Sequence, residues 1–225
     1  SLTEASRMAL SFLGKVSSTI KADDPNQVFT EADLKIGEYL VNQVKEKYPE
    51  FNIIDEEAGV VNKQSDFTWV IDPIDGTSNF SAGLPHYGVM MGLLEKGEPI
   101  AGGIVLPAFN DIYIAEKGKG VLLNNESLSL SYDKSLKDSL ISYGLDGKID
   151  KREQVHEEMK LVEELVQSSR NIRSSNSTYD FAMVIAGKYG AYLNKSSKIW
   201  DNVAPQAIIE EIGGQYVDFG GQRIT

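Results

Sequence analysis

The chain has 225 residues, 41 % hydrophobic and 24 % charged, which fits one globular domain with a substantial core. It has no cysteine and only two histidines, His86 and His156, so disulfides and cysteine-ligated metals are excluded and a histidine-built zinc site is disfavoured. A formal net charge of −11 argues against a nucleic-acid partner. With no apolar run near the ~20 residues of a membrane span and no basic-then-apolar leader, a cytoplasmic protein without membrane attachment is expected.

Residues 2–20 place Ala5, Met8, Ala9, Phe12, Leu13 and Val16 at helical spacing, and the polar stretch 21–26 breaks that pattern. Thr30 followed three residues later by Asp33 signals a capping box for a second helix. Its apolar face runs through Ile36, Leu40, Val41, Val44 and Tyr48 to a stop at Pro49. Short strands are expected at 51–54 and 68–71. From Tyr87 onward, apolar runs at 89–94, 100–106, 112–115 and 120–123 alternate with turn residues and predict an antiparallel meander. A charged helix follows over 152–168, then a strand at Ile172, a helix over 179–186 ended by Gly187, and a strand at 191–193. Asp201 is expected to cap a last helix with Pro205 in its opening turn and Gly213-Gly214 at its end. The mixed pattern predicts layered α/β packing in one domain.

The most informative stretch is Trp69-Val-Ile-Asp-Pro-Ile-Asp-Gly-Thr-Ser-Asn-Phe80. An apolar run ends in Asp72, Pro73 is expected to stop the strand in an interior ladder, and Asp75 follows before Gly76-Thr77. Two carboxylates at a strand end can share one cation or bridge two, and a Gly-Thr pair can open a helix whose free N–H groups receive phosphate. Asp-Pro and Asp-Gly are also ordinary turn formers, but a turn needs neither both acids nor a helix start. Asp55-Glu56-Glu57, Asp33 and Trp200-Asp201 add acids at other junctions between elements. Oxygen-only ligands suit Mg²⁺ or Mn²⁺ better than Zn²⁺.

With these motifs in hand, the sequence resembles the inositol monophosphatase family, within the wider group of lithium-sensitive, magnesium-dependent phosphatases. The carrying residues are Phe29-Thr-Glu-Ala-Asp33, Asp55-Glu-Glu57, the Asp72 to Phe80 string, Gly118-Lys-Gly-Val121, and Trp200-Asp201 running on to Glu211-Ile-Gly-Gly214. The resemblance implies a layered α-β-α-β-α fold, fructose-bisphosphatase/inositol-monophosphatase-like, assembled as a homodimer and acting as a hydrolase on a small phosphorylated substrate. It further implies two or three Mg²⁺ ions per site, with Mn²⁺ as a substitute. Glu56, Asp72 and the carbonyl of Ile74 would hold one ion, and Asp72, Asp75 and Asp201 a second. Glu56 and Glu57 would reach a third. Gly76 and Thr77 match the phosphate cradle, with Asp75 and Asp201 beside the substrate, while Thr77 and Asp33, next to Glu56, would activate the attacking water. His86 and His156 are left as structural or surface residues.

Two departures bear on substrate. The position that is acidic in inositol-specific members is Asn194 here, followed by Lys195 and Lys198, and the loop after Arg173 reads Ser-Ser-Asn-Ser-Thr178 in place of a Gly-Thr pair. A substrate with a second anionic group is therefore expected to do better than inositol 1-phosphate. The alternatives are a 3′-nucleotide bisphosphate, fructose 1,6-bisphosphate, histidinol phosphate, or a non-catalytic regulatory role. Family members generally continue with another strand and helix beyond Asp218-Phe-Gly-Gly221, and the N-terminal region is expected to be short.

Overall fold

A computed structural model describes residues 1–21, 27–148 and 150–224. In chain order the elements are α1 (Leu2–Phe12), β1 (Thr19–Ile20), β2 (Val28–Phe29), α2 (Glu31–Lys47), β3 (Asn52–Asp55), β4 (Gly59–Val61) and β5 (Phe67–Asp75). Next come α3 (Thr77–Ser81), β6 (Gly88–Glu95), β7 (Glu98–Leu106), β8 (Asp111–Glu116), β9 (Gly120–Leu123) and β10 (Glu126–Leu128). The last part holds β11 (Leu140–Gly144), α4 (Arg152–Ser168), β12 (Asn171–Arg173), α5 (Thr178–Ile185), β13 (Ala191–Asn194) and α6 (Ile199–Glu211).

An eight-stranded sheet runs in the order β10-β9-β8-β7-β6-β5-β3-β4, antiparallel throughout except for the parallel β3–β5 pair. Alternation along β6 explains why both of its faces are covered. Val89 and Met91 pack with Ala5 and Ala9 of α1 and with Ile36, Leu40 and Val44 of α2. Met90 points the other way, into a core with Phe181 and Ile185 of α5 and Ala204 and Ile208 of α6. A small parallel sheet, β12-β11-β13, lies beyond α5, which contacts β13. α4 covers that sheet, where the hydroxyl of Tyr143 on β11 donates to the buried Glu158 at 2.9 Å. Helix, sheet, helix, sheet and helix therefore follow one another, as the layered fold class requires.

Two glycines bring α6 onto the large sheet. A Cβ on Gly102 would lie 2.3 Å from the Ala204 carbonyl oxygen, and one on Gly92 would lie 2.4 Å from the Val203 side chain. The far end of α6 is held by Glu211, whose carboxylate accepts the N–H groups of Gly118 and Gly120 at 2.9 and 2.8 Å. The Gly118-Lys-Gly-Val121 and Glu211-Ile-Gly-Gly214 motifs are thus two halves of one contact.

Two expectations need correction, and a third falls largely outside the described residues. The first helix stops at Phe12 rather than reaching residue 20: Gly14 takes φ +68°, and Thr19–Ile20 pairs as a strand with Val28–Phe29. The expected break at 21–26 lies, apart from Lys21, outside the described residues. Pro73 does not end β5. The parallel ladder to β3 ends at Ile71, and pairing with β6 shifts register between Asp72 and Asp75, so Pro73 sits where no ladder donor is required.

Candidate metal and phosphate site

The site forms where β5 outruns β3. Asp72 and Asp75 lie on this overhang, Gly76 turns the chain with φ +88°, and Thr77 opens α3. Asp201 arrives from the first turn of α6. It sits three residues inside the cap rather than at it: Lys198 is the cap residue, extended, and Asp201 accepts its N–H at 2.5 Å.

Oxygens of Asp72, Asp75 and Asp201 lie within 4.8 Å of one another. They face a cavity of roughly 340 Å³ that is also lined by Glu56, Ile74, Gly76, Thr77 and Asn194. Burial, then the neighbouring Glu56, Asp75 and Asp201, pushes the Asp72 carboxyl well above the usual carboxylate range. Asp75 is raised in the same direction by burial and by Asp201. Burial lifts Asp201 to about 6, against the opposing Lys198 N–H and a hydrogen bond from Asp72. Glu56 is lifted to about 7, mainly by burial and against the pull of Lys21.

These groups fit a divalent cation. Among the described residues, Asp72 Oδ1 is buried with no hydrogen-bond partner, and the three clustered acids repel one another. All donors are hard oxygens, the set that magnesium and manganese take.

Lys21 holds the acidic pair beside this cluster. Its ammonium lies 2.7 Å from Glu56 Oε1 and 2.6 Å from Glu57 Oε1, with all three side chains largely buried. Glu56 lines the cavity, whereas Glu57 faces Lys21 outside that lining. Behind the cavity wall, Asp33 divides its two oxygens. Oδ2 accepts the N–H and hydroxyl of Thr30 at 2.8 and 2.5 Å, closing the expected capping box. Oδ1 faces the Thr77 hydroxyl at 3.1 Å, and the same hydroxyl lies 2.9 Å from the Ile74 carbonyl oxygen. Burial raises Asp33, against the hydrogen bonds from Thr30 and Thr77.

The opposite wall comes from the small sheet and its loops. Asn194 donates to Asn176 Oδ1 and Tyr192 Oη at 3.2 and 3.1 Å, while its own Oδ1 accepts the Ser196 N–H at 2.7 Å. Lys198 lines the cavity, but the Lys195 ammonium sits 5.4 Å over the Phe219 ring instead. His86 packs at a tilt against Tyr179, 4.5 Å between ring centres, and His156 lies on the exposed surface of α4.

Residues 3–225 match the sequence profile of the inositol monophosphatase family. The chain belongs to that family. It is 34 % identical over 193 residues to a protein of Xylella fastidiosa named Nus factor SuhB, covering 85 % of this chain and 69 % of the relative. It is 32 % identical over 211 residues to a fructose-1,6-bisphosphatase/inositol-1-monophosphatase of Thermotoga maritima, covering 93 % and 78 %. A solved IMPase structure from Thermotoga maritima superposes with a TM-score of 0.87 at 30 % identity, over 100 % of this chain and 85 % of that one.

Sequence reasoning missed Lys21, Asn176 and Thr178 within this family site. Lys21 opened what read as a mere break, and its partners Glu56 and Glu57 lie far along the chain. Asn176 and Thr178 were visible only as an unusual loop, with no local signal of what they touch.

Proposed function

We propose that this family member is a magnesium-dependent phosphatase that hydrolyses a small phosphomonoester. The observation that carries the reading is the trio Asp72, Asp75 and Asp201 converging beside the Thr77–Asp33 pair in one cavity. Asp72, Asp75 and Asp201 would hold one ion, and Glu56 with Asp72 and the Ile74 carbonyl another. Glu57 would serve a third, looser ion with Glu56, in competition with the Lys21 ammonium. Manganese would substitute for magnesium. When bound, the ions would neutralise phosphoryl charge and lower the pKa of the attacking water.

The chain's own residues supply the rest. The Thr77 hydroxyl, directed at Asp33 or at the Ile74 carbonyl, leaves its oxygen lone pairs to receive a water in the cavity. Asp33, raised by burial, is suited to take a proton relayed through that hydroxyl. Gly76 and Thr77 line the cavity at the start of α3, where N–H groups lack intrahelical partners and can donate to phosphate oxygens.

Asn194 offers the substrate no negative charge, and Lys198 adds a positive one. These features support a substrate with a second anionic group. We read the chain as one phosphatase domain that works in the cytoplasm as a homodimer. Among the described residues, no helix is long and apolar enough to cross a membrane.

The second reading is a regulatory protein that acts by binding, which the name Nus factor on a relative favours. Phosphate release from a panel of small phosphomonoesters, with EDTA and with restored Mg²⁺, separates the two. Magnesium-dependent release is expected. Release that persists in EDTA would sink the metal mechanism, and no release from any substrate would favour the regulatory reading.

A further inference from the structure

Resting on the metal-site reading above, we infer that Thr178 is a positioning residue that fixes the carboxylate of Asp75 for cation binding. Thr178 is fully buried at the first position of α5, and its hydroxyl donates to Asp75 Oδ2 at 2.5 Å. A carboxylate has two oxygens and free rotation about its last bond. Tying one of them down fixes the orientation of the whole carboxylate, leaves the other oxygen free for a cation, and removes the entropy of aligning it when one binds.

Two backbone notches bring Thr178 this close. Gly88 pairs with Asp75 across the β5–β6 ladder, and a Cβ there would lie 2.8 Å from Thr178 Cγ2. Gly76 stands on the other side, where a Cβ would lie 2.7 Å from the Ser177 Cβ. The Ser177–Thr178 segment therefore seats between two residues that lack side chains. Asp180 holds that segment in place: Oδ2 accepts the Ser177 N–H at 3.2 Å, and Oδ1 accepts the hydroxyls of Ser142 and Ser175 at 2.6 and 2.9 Å. All of Asp180 is buried, so the support is as rigid as the core around it.

The test is Mn²⁺ binding to the full chain, measured by calorimetry or by the electron paramagnetic resonance of free Mn²⁺, without substrate. Thr178→Val keeps the shape and removes the hydroxyl, Thr178→Ser keeps the hydroxyl, and Thr178→Ala removes it without adding bulk. Removal of the supporting hydroxyl is expected to weaken Mn²⁺ binding about 10-fold or more. Val and Ala should both show this loss, and Ser should stay within about threefold of the unmodified protein. The Ala variant decides the matter if Val fails to fold. Unchanged affinity in the Val or Ala variant, or a Ser variant as weak as Val, overturns the assignment. An unmodified protein that binds no Mn²⁺ overturns the metal site itself, a separate and recognisable result.

Discussion

Raising the pH should destabilise the metal-free protein, because its buried acids hold protons that the unfolded chain has already released. Glu56 moves from its ordinary 4.5 to about 7, and Asp201 from 3.8 to about 6. Both folded values lie above the unfolded ones, so this contribution is complete below about pH 4 and disappears as pH rises through 6 to 7. The Glu56 shift alone corresponds to about 3 kcal/mol. Asp201 is coupled to the same acids, so its similar figure is not added. For a chain of this size, about 3 kcal/mol lowers the melting temperature by roughly 6–12 °C. Thermal unfolding followed by circular dichroism in EDTA, between pH 5 and 8, reads this directly. Magnesium requires the ionised carboxylates, so the gap between melting curves with Mg²⁺ and with EDTA should widen across the same window. A flat profile in EDTA, or an equal fall in saturating Mg²⁺, would refute the reasoning.

Asp72→Asn should abolish Mg²⁺ binding in calorimetry, since it removes one of the three clustered carboxylates that would hold the ion; retained Mg²⁺ affinity would contradict that account. Thr77→Ala should leave Mn²⁺ affinity near that of the unmodified protein and reduce kcat by about 10²–10⁴, and undiminished turnover would remove Thr77 from the relay. Asn194→Glu should shift kcat/KM towards inositol 1-phosphate and away from fructose 1,6-bisphosphate. If inositol 1-phosphate is already the best substrate of the unmodified protein, the reading of Asn194 is wrong.

Local chemistry was legible in the sequence, and long-range geometry was not. The Thr30–Asp33 capping box, the antiparallel meander and the helix at Arg152–Ser168 follow from short-range spacing and appear as expected. Asp72, Asp75 and Asp201 could be proposed from their junction positions and family motifs, and they do converge. The fate of Pro73 depended on where the partner strand β3 stops, which no residue near Pro73 encodes. Lys21 against Glu56 and Thr178 against Asp75 join segments far apart in the chain, so neither leaves a periodic signature. The cap of α6 was not legible, because Lys198, which occupies it, is a residue type without capping preference.

The seating of α6 on Gly92 and Gly102 bears on how the chain acquires its shape. The meander from β5 to β10 pairs neighbours in sequence and can form early, whereas Asp201 reaches Asp72 and Asp75 only after α6 docks. A cation held by all three acids would then work as a reversible cross-link between the first-made sheet and the last-made helix. It would bind the finished arrangement and not its precursors, drawing the docking equilibrium towards completion by mass action. Metal supply would in this way govern maturation of the chain as well as its chemistry.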